Sequence, residues 1–137
     1  QPNFVAERGD QYLVDVPDAE HHELWRVASL RRAGVPVALS TDSPFGDPDP
    51  WAAMRAAVHR RTPPGTVLGA AECVSAPEAL AMFLGEPDRP AAPRQVAQGA
   101  RGDLCILATG PAETLRELDS GAVTATVIAG EIVFERS

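Results

Sequence analysis

The run Val35-Pro36-Val37-Ala38-Leu39-Ser40 constrains this chain more than any other segment. It is apolar without alternation and follows directly on Gly34. It gives way at once to a loop dense in proline and aspartate, Thr41-Asp42-Ser43-Pro44-Phe45-Gly46-Asp47-Pro48-Asp49-Pro50. A short unbroken apolar run predicts a strand buried on both faces, the kind found in the parallel sheets of α/β proteins. Pro36 is tolerable near its start, because the first residues of a strand need not donate to the ladder.

The flanks fit that frame. Gln1-Pro2-Asn3-Phe4-Val5 reads as the tail of an earlier strand, followed by a polar connection through Gly9-Asp10. Asp18 is placed to cap a helix running to about Ala33, with Gly34 as its left-handed stop. Leu24, Val27, Ala28 and Leu30 form that helix's apolar stripe. Behind the loop, Asp49 as N-cap and Pro50 at the first helical position predict a helix from Trp51 to about Arg61, burying Trp51, Met54 and Val58. Ser75-Ala76-Pro77-Glu78 is a capping box opening a helix that carries Leu80, Phe83 and Leu84 and stops at Gly85. Residues 86–102 read as a proline-bearing surface linker. Beyond it, Leu104-Cys105-Ile106-Leu107 and the stretch from Val123 to Ile128 predict strands, with a short helix from about Ala112 to Leu118 between them. Ala129-Gly130 then turns the second strand into a hairpin with the stretch from Glu131 to Glu135. The expected organisation is a barrel-like α/β part at 1–85, the linker at 86–102 and a β-rich tail at 103–137. A complete α/β barrel takes about 250 residues, so a chain of 137 cannot contain one.

Composition narrows the function classes. A formal net charge of −7 disfavours binding nucleic acid through its phosphates. No stretch approaches the roughly 20 apolar residues of a membrane span, and the first residues lack the basic start and apolar core of a signal peptide. Cys73 and Cys105 stand apart from any second thiol and read as small buried hydrophobes of a reducing compartment, the cytoplasm. Gln1 in place of methionine leads us to expect residues upstream. All 12 basic residues are arginine, so no lysine here can act as base or Schiff-base former.

Chemistry converges on Asp42, two residues beyond the predicted buried strand. Catalytic residues of α/β barrels sit at the C-terminal ends of strands, where a carboxylate can bind a divalent metal or take a proton from activated water. The competing reading is a loop aspartate that caps its own turn through a side-chain oxygen. His21 and His22 are adjacent on a helix, so their side chains point about 100° apart and read as surface residues. His59 reads as a partner for a helix C-terminus, and capping and turn duties account for Asp47 and Asp49. No G-x-S-x-G elbow is present.

The longer string from Ala38 to Trp51 resembles the eighth-strand segment of the amidohydrolase superfamily, in the branch of N-substituted formamide deformylases and related amide hydrolases. Gln1-Pro2-Asn3-Phe4 is similar to the seventh-strand segment, and the stretch from Leu24 to Gly34 to the helix before the eighth strand. The stretch from Ser75 to Gly85 is similar to the helix after the barrel. Gly99-Ala100-Arg101-Gly102-Asp103-Leu104-Cys105-Ile106-Leu107 and Val127-Ile128-Ala129-Gly130-Glu131-Ile132-Val133 resemble the family's late strand and terminal hairpin, with Gly102 where alanine is usual. The resemblance implies the C-terminal part of a metal-dependent (β/α)₈ barrel plus strands of its flanking small β-sandwich. It implies a hydrolase of non-peptide C–N bonds in small amide-type substrates, and it makes Asp42 the water-activating carboxylate and a metal ligand. The divalent metal, zinc by preference, is expected in the complete enzyme and not tightly on this chain alone, since the family's histidines match nothing here. The sandwich edge left open would invite a homo-oligomer. The alternatives are a truncated non-catalytic interaction module, or one subunit of a split hydrolase.

Overall fold

Helix α3, Pro50–His59, is the element on which the others pack. Asp49 caps it by accepting the Trp51 amide at 2.8 Å, and Pro50 supplies a preset φ at its first position. Its inward stripe of Trp51, Met54 and Ala57 meets Val27 and Ala28 of α2 (Val27–Arg32) and Ala79 of α4 (Ala76–Ala81), together with Met82, Leu39, Val74 and Leu118. Burying one side chain of Met54's size stabilises by about 1.5–3 kcal/mol, so this cluster is the main source of cohesion. The capping box of α4 forms as expected, with both Ser75 and Glu78 engaged. The computed structural model describes all 137 residues, Gln1–Ser137.

Two small antiparallel sheets complete the α/β architecture. One pairs β1 (Gly85–Glu86) with β2 (Arg89–Pro93); the other has the order β3-β4-β5, from Leu104–Leu107, Val123–Ile128 and Glu131–Glu135. Helix α5, Pro111–Glu117, connects β3 to β4, and β4 and β5 form the expected hairpin. No barrel is present in this chain.

Five expectations are corrected. Residues 1–5 are not strand: α1 spans Asn3–Asp15 and absorbs the connection at Gly9-Asp10. No strand of this chain lies alongside to receive their peptide groups, so the bonds close locally, as from the Val5 amide to the Pro2 carbonyl at 3.0 Å. Phe4 and Val5 are buried while α1 packs against α3.

The helix expected from Asp18 to Ala33 is broken into a 3₁₀ turn, Asp18–Glu23, and α2. Trp25 takes φ 49° at the break. The Leu24 and Trp25 carbonyls, which a continuous helix would aim at amides four residues on, instead accept from the Arg60 guanidinium at 2.9 and 3.1 Å. The freed Ser29 amide donates to Glu72 at 2.9 Å. Gly34, at φ 77°, is the left-handed stop the sequence predicts.

Residues 35–40 are neither helix nor strand and pair with no strand. Only the Leu39 amide finds a distant partner, the Met82 carbonyl at 3.0 Å. Leu39 is buried and Val37 half-buried, whereas Val35 is 45% exposed. A parallel strand is covered on both faces only when neighbouring strands carry helices over it, and this chain places none beside it. Finally, the span expected to be a patternless linker holds β2, and Cys105 is exposed rather than buried, lying on a sheet with little cover.

Candidate functional site

Asp42 occupies a turn, outside helix and strand, and its backbone sits at φ 57°. Aspartate reaches the left-handed region more readily than most residues, yet it is still an uncommon conformation. The turn is closed by the main chain: the Asp42 carbonyl accepts the amides of Phe45 at 2.9 Å and Gly46 at 3.0 Å. The side chain closes nothing. It is exposed and makes no hydrogen bond or ion pair. Asp47 and Asp49 behave differently, accepting the amides of Asp49 and Trp51, each at 2.8 Å. They carry the turn and cap duties; Asp42 carries neither.

The loop is fixed at its far end by the start of α3 and along its flank by the first turns of α1. Asn3, 2% exposed, donates from Nδ2 to the Thr41 carbonyl at 3.0 Å and to Glu7 Oε1 at 2.9 Å. The same Glu7 oxygen accepts the Asp47 amide at 3.0 Å. Arg8 lies over the rings of Phe4 and Phe45, 4.8 and 4.7 Å from their centroids, and the two rings meet edge to face. Gly46 sits where a Cβ would collide with the Thr41 carbonyl and Asn3 Nδ2, so the loop closes this tightly only on glycine.

The sequence singles out Asp42 as a candidate, and nothing in it points to Asn3, Glu7 and Arg8 beside the same loop. The spacing of four between Asn3 and Glu7 has meaning only if that segment is helical, and it reads as strand.

The histidines stay away from this loop. His21 Nε2 lies 2.8 Å from the Val16 carbonyl, His22 Nε2 3.1 Å from Glu23, and His59 is exposed at the last turn of α3. No three His, Cys, Asp or Glu side chains gather where they could hold a metal ion. A cavity of about 410 Å³ lies elsewhere, between Trp51, Leu80, Leu84 and the Arg94–Asp103 ion pair, with Cys105 on its wall. Although the residue is exposed, partial desolvation against the cavity wall raises the pKa of that thiol, which leaves it a poor nucleophile. The chemistry open to the Asp42 loop is that of one free carboxylate on a held backbone: accepting a proton, or donating one oxygen ligand.

Residues 1–134 match the model of the amidohydrolase family. The N-substituted formamide deformylase of Arthrobacter pascens is 35% identical over 126 residues, an alignment covering 86% of this chain and 23% of that protein. The chain thus spans under a quarter of the length of this relative. No solved structure matches it significantly.

Proposed function

This chain belongs to the amidohydrolase family, and on that premise we propose that it forms part of a hydrolase cleaving a non-peptide C–N bond in a small amide-type substrate. N-substituted formamides are the first substrates to try, because the relative from Arthrobacter pascens carries that name. In this reading residues 35–40 are the last strand of a (β/α)₈ barrel completed by the rest of the polypeptide. The β3-β4-β5 sheet belongs to a small flanking sandwich.

Asp42 accepts a proton from the water that attacks the carbonyl carbon. As the C–N bond breaks, the same carboxyl returns that proton to the departing nitrogen. One observation carries the assignment: among the three aspartates of the loop, only Asp42 leaves its carboxylate without structural work. Zinc takes about three or four ligands, and Asp42 alone does not make such a site. We therefore place the divalent metal, zinc by preference, in the complete polypeptide, with its remaining ligands outside this chain.

The test is Asp42→Asn in the complete polypeptide. An amide keeps the size of the side chain but cannot take up a proton near neutrality, so kcat should fall by about 10²–10⁴. The melting temperature should hold, because the side chain is exposed and takes part in no hydrogen bond or ion pair. Turnover surviving intact would remove Asp42 from the mechanism.

A further inference from the structure

Building on the reading of Asp42 as proton acceptor, we infer that Asn3 and Glu7 form a clamp that positions Asp42, acting through its backbone. The two side chains join both ends of the loop in one hydrogen-bonded chain. The Thr41 carbonyl accepts from Asn3 Nδ2 (3.0 Å), Asn3 Nδ2 donates also to Glu7 Oε1 (2.9 Å), and Glu7 Oε1 accepts the Asp47 amide (3.0 Å). The Thr41 carbonyl belongs to the peptide plane that carries the Asp42 amide. The carbonyl on the other side of Asp42 is held by Phe45 and Gly46. Both peptide planes flanking Asp42 are therefore fixed, and only its own side-chain torsions stay free.

Each component suits that task. Asn3 faces two acceptors, so one nitrogen with two hydrogens must point at them; an amide supplies it, whereas aspartate or leucine of similar volume does not. The opposite oxygen, Asn3 Oδ1, is buried without a partner, which costs stability. Packing alone gives no reason for an amide under that penalty; the two donated bonds do. The left-handed backbone of Asp42 persists only where its surroundings over-determine it, and the clamp does so. Arg8, stacked on Phe4 and Phe45 and 3.7 Å from the second carboxylate oxygen of Glu7, adds a further hold on the loop tip.

The experiment compares Asn3→Leu, Glu7→Ala and Glu7→Gln with the parent in the complete polypeptide, alone and combined with Asp42→Asn. A misplacement of about 1 Å can cost up to about 10² in rate, so Asn3→Leu and Glu7→Ala should lower kcat by roughly 10- to 100-fold and leave KM within about threefold. Glu7→Gln keeps an acceptor oxygen and should recover most of the loss seen in Glu7→Ala. Hydrogen exchange at the amides of residues 45–47 should accelerate in Asn3→Leu and Glu7→Ala and return toward the parent rate in Glu7→Gln. Because the clamp works through Asp42, Asn3→Leu should add nothing to the loss already caused by Asp42→Asn.

A folded Asn3→Leu protein with parental kcat and parental exchange overturns the clamp, and so does an Asn3→Leu penalty that persists undiminished on Asp42→Asn. If Asn3→Leu fails to fold, the Glu7→Ala and Glu7→Gln pair decides alone, with equal activity and equal exchange in the two counting against it. An active Asp42→Asn enzyme sinks the catalytic reading instead, and is told apart because it leaves loop exchange in the clamp variants unexplained by chemistry.

Discussion

Replacing Arg60 tests the architecture at its most loaded point. Its side chain is fully buried, and its guanidinium donates to the carbonyls of Leu68 at 2.6 Å, Leu24 at 2.9 Å and Trp25 at 3.1 Å. Burial pulls its pKa below the ordinary value, and the nearby carboxylate of Glu72 opposes that pull. Arg60→Met keeps the apolar stem and removes the charge together with all three bonds. Swapping a buried charge for a hydrophobe is often harmless, but here the acceptors remain. The Trp25 carbonyl keeps the Val27 amide at 2.8 Å, while those of Leu24 and Leu68 lose the guanidinium. Two stranded carbonyls at about 1–3 kcal/mol each give a loss of about 2–6 kcal/mol, against a total stability of about 5–15 kcal/mol. At this size 1 kcal/mol moves the midpoint by about 3–5 °C, so Tm should drop by about 6–30 °C. Arg60→Lys, which can keep one or two bonds, should fall between Arg60→Met and the parent. Urea and thermal unfolding followed by circular dichroism measure both. An Arg60→Met protein within about 1 kcal/mol of the parent would refute the claim that this side chain holds the break between the 3₁₀ turn and α2.

Two further outcomes follow from surface and buried charge. Burial opposes the charge of Glu72, but hydrogen bonds from Ser29 and the nearby Arg32 outweigh it, holding the carboxyl below its ordinary pKa. A depressed folded-state pKa gives stability that is complete above the unfolded value near about 4.3 and lost as pH falls through the folded one. Tm should therefore be level near neutrality and decline in acid, and Glu72→Gln should be less stable at neutral pH with a shallower acid limb; an unchanged limb would contradict this. The outermost strand β5 exposes Ile132, Val133 and Phe134 by 62%, 57% and 45%, an unpaired apolar edge of the kind that recruits another chain. The isolated chain should self-associate in light scattering and Val133→Lys should suppress it, whereas a clean parental monomer at high concentration would count against an adhesive edge.

Local signals in the sequence were legible wherever the physics is local. The Asp49 cap with Pro50, the Ser75–Glu78 box, the Gly34 stop and the Ala129-Gly130 hairpin each depend on residues a few positions apart, and each forms. The resemblance to the amidohydrolase family lies equally in the string of residues, and the family match bears it out. The errors fall where an outcome depends on partners far along the chain. Residues 35–40 have the composition of a buried strand, but a strand exists only through neighbours, and none lies alongside. Residues 3–5 became helix for the same lack.

Tertiary structure alone decided the rest. The helix expected from Asp18 breaks because Arg60, 35 residues from Trp25, takes the carbonyls that would have continued it. Asp42 could be singled out from its place in the string, but not the freedom of its carboxylate. That freedom depends on Asp47 and Asp49 doing the capping and on Asn3, 38 residues before Thr41, holding the loop. The dividing line is the range of the interaction. Caps and turns are settled by contacts within one or two turns of chain. The strand, the helix break and the held loop are settled by hydrogen-bonding groups that burial leaves no option but to pair with whatever the fold brings near.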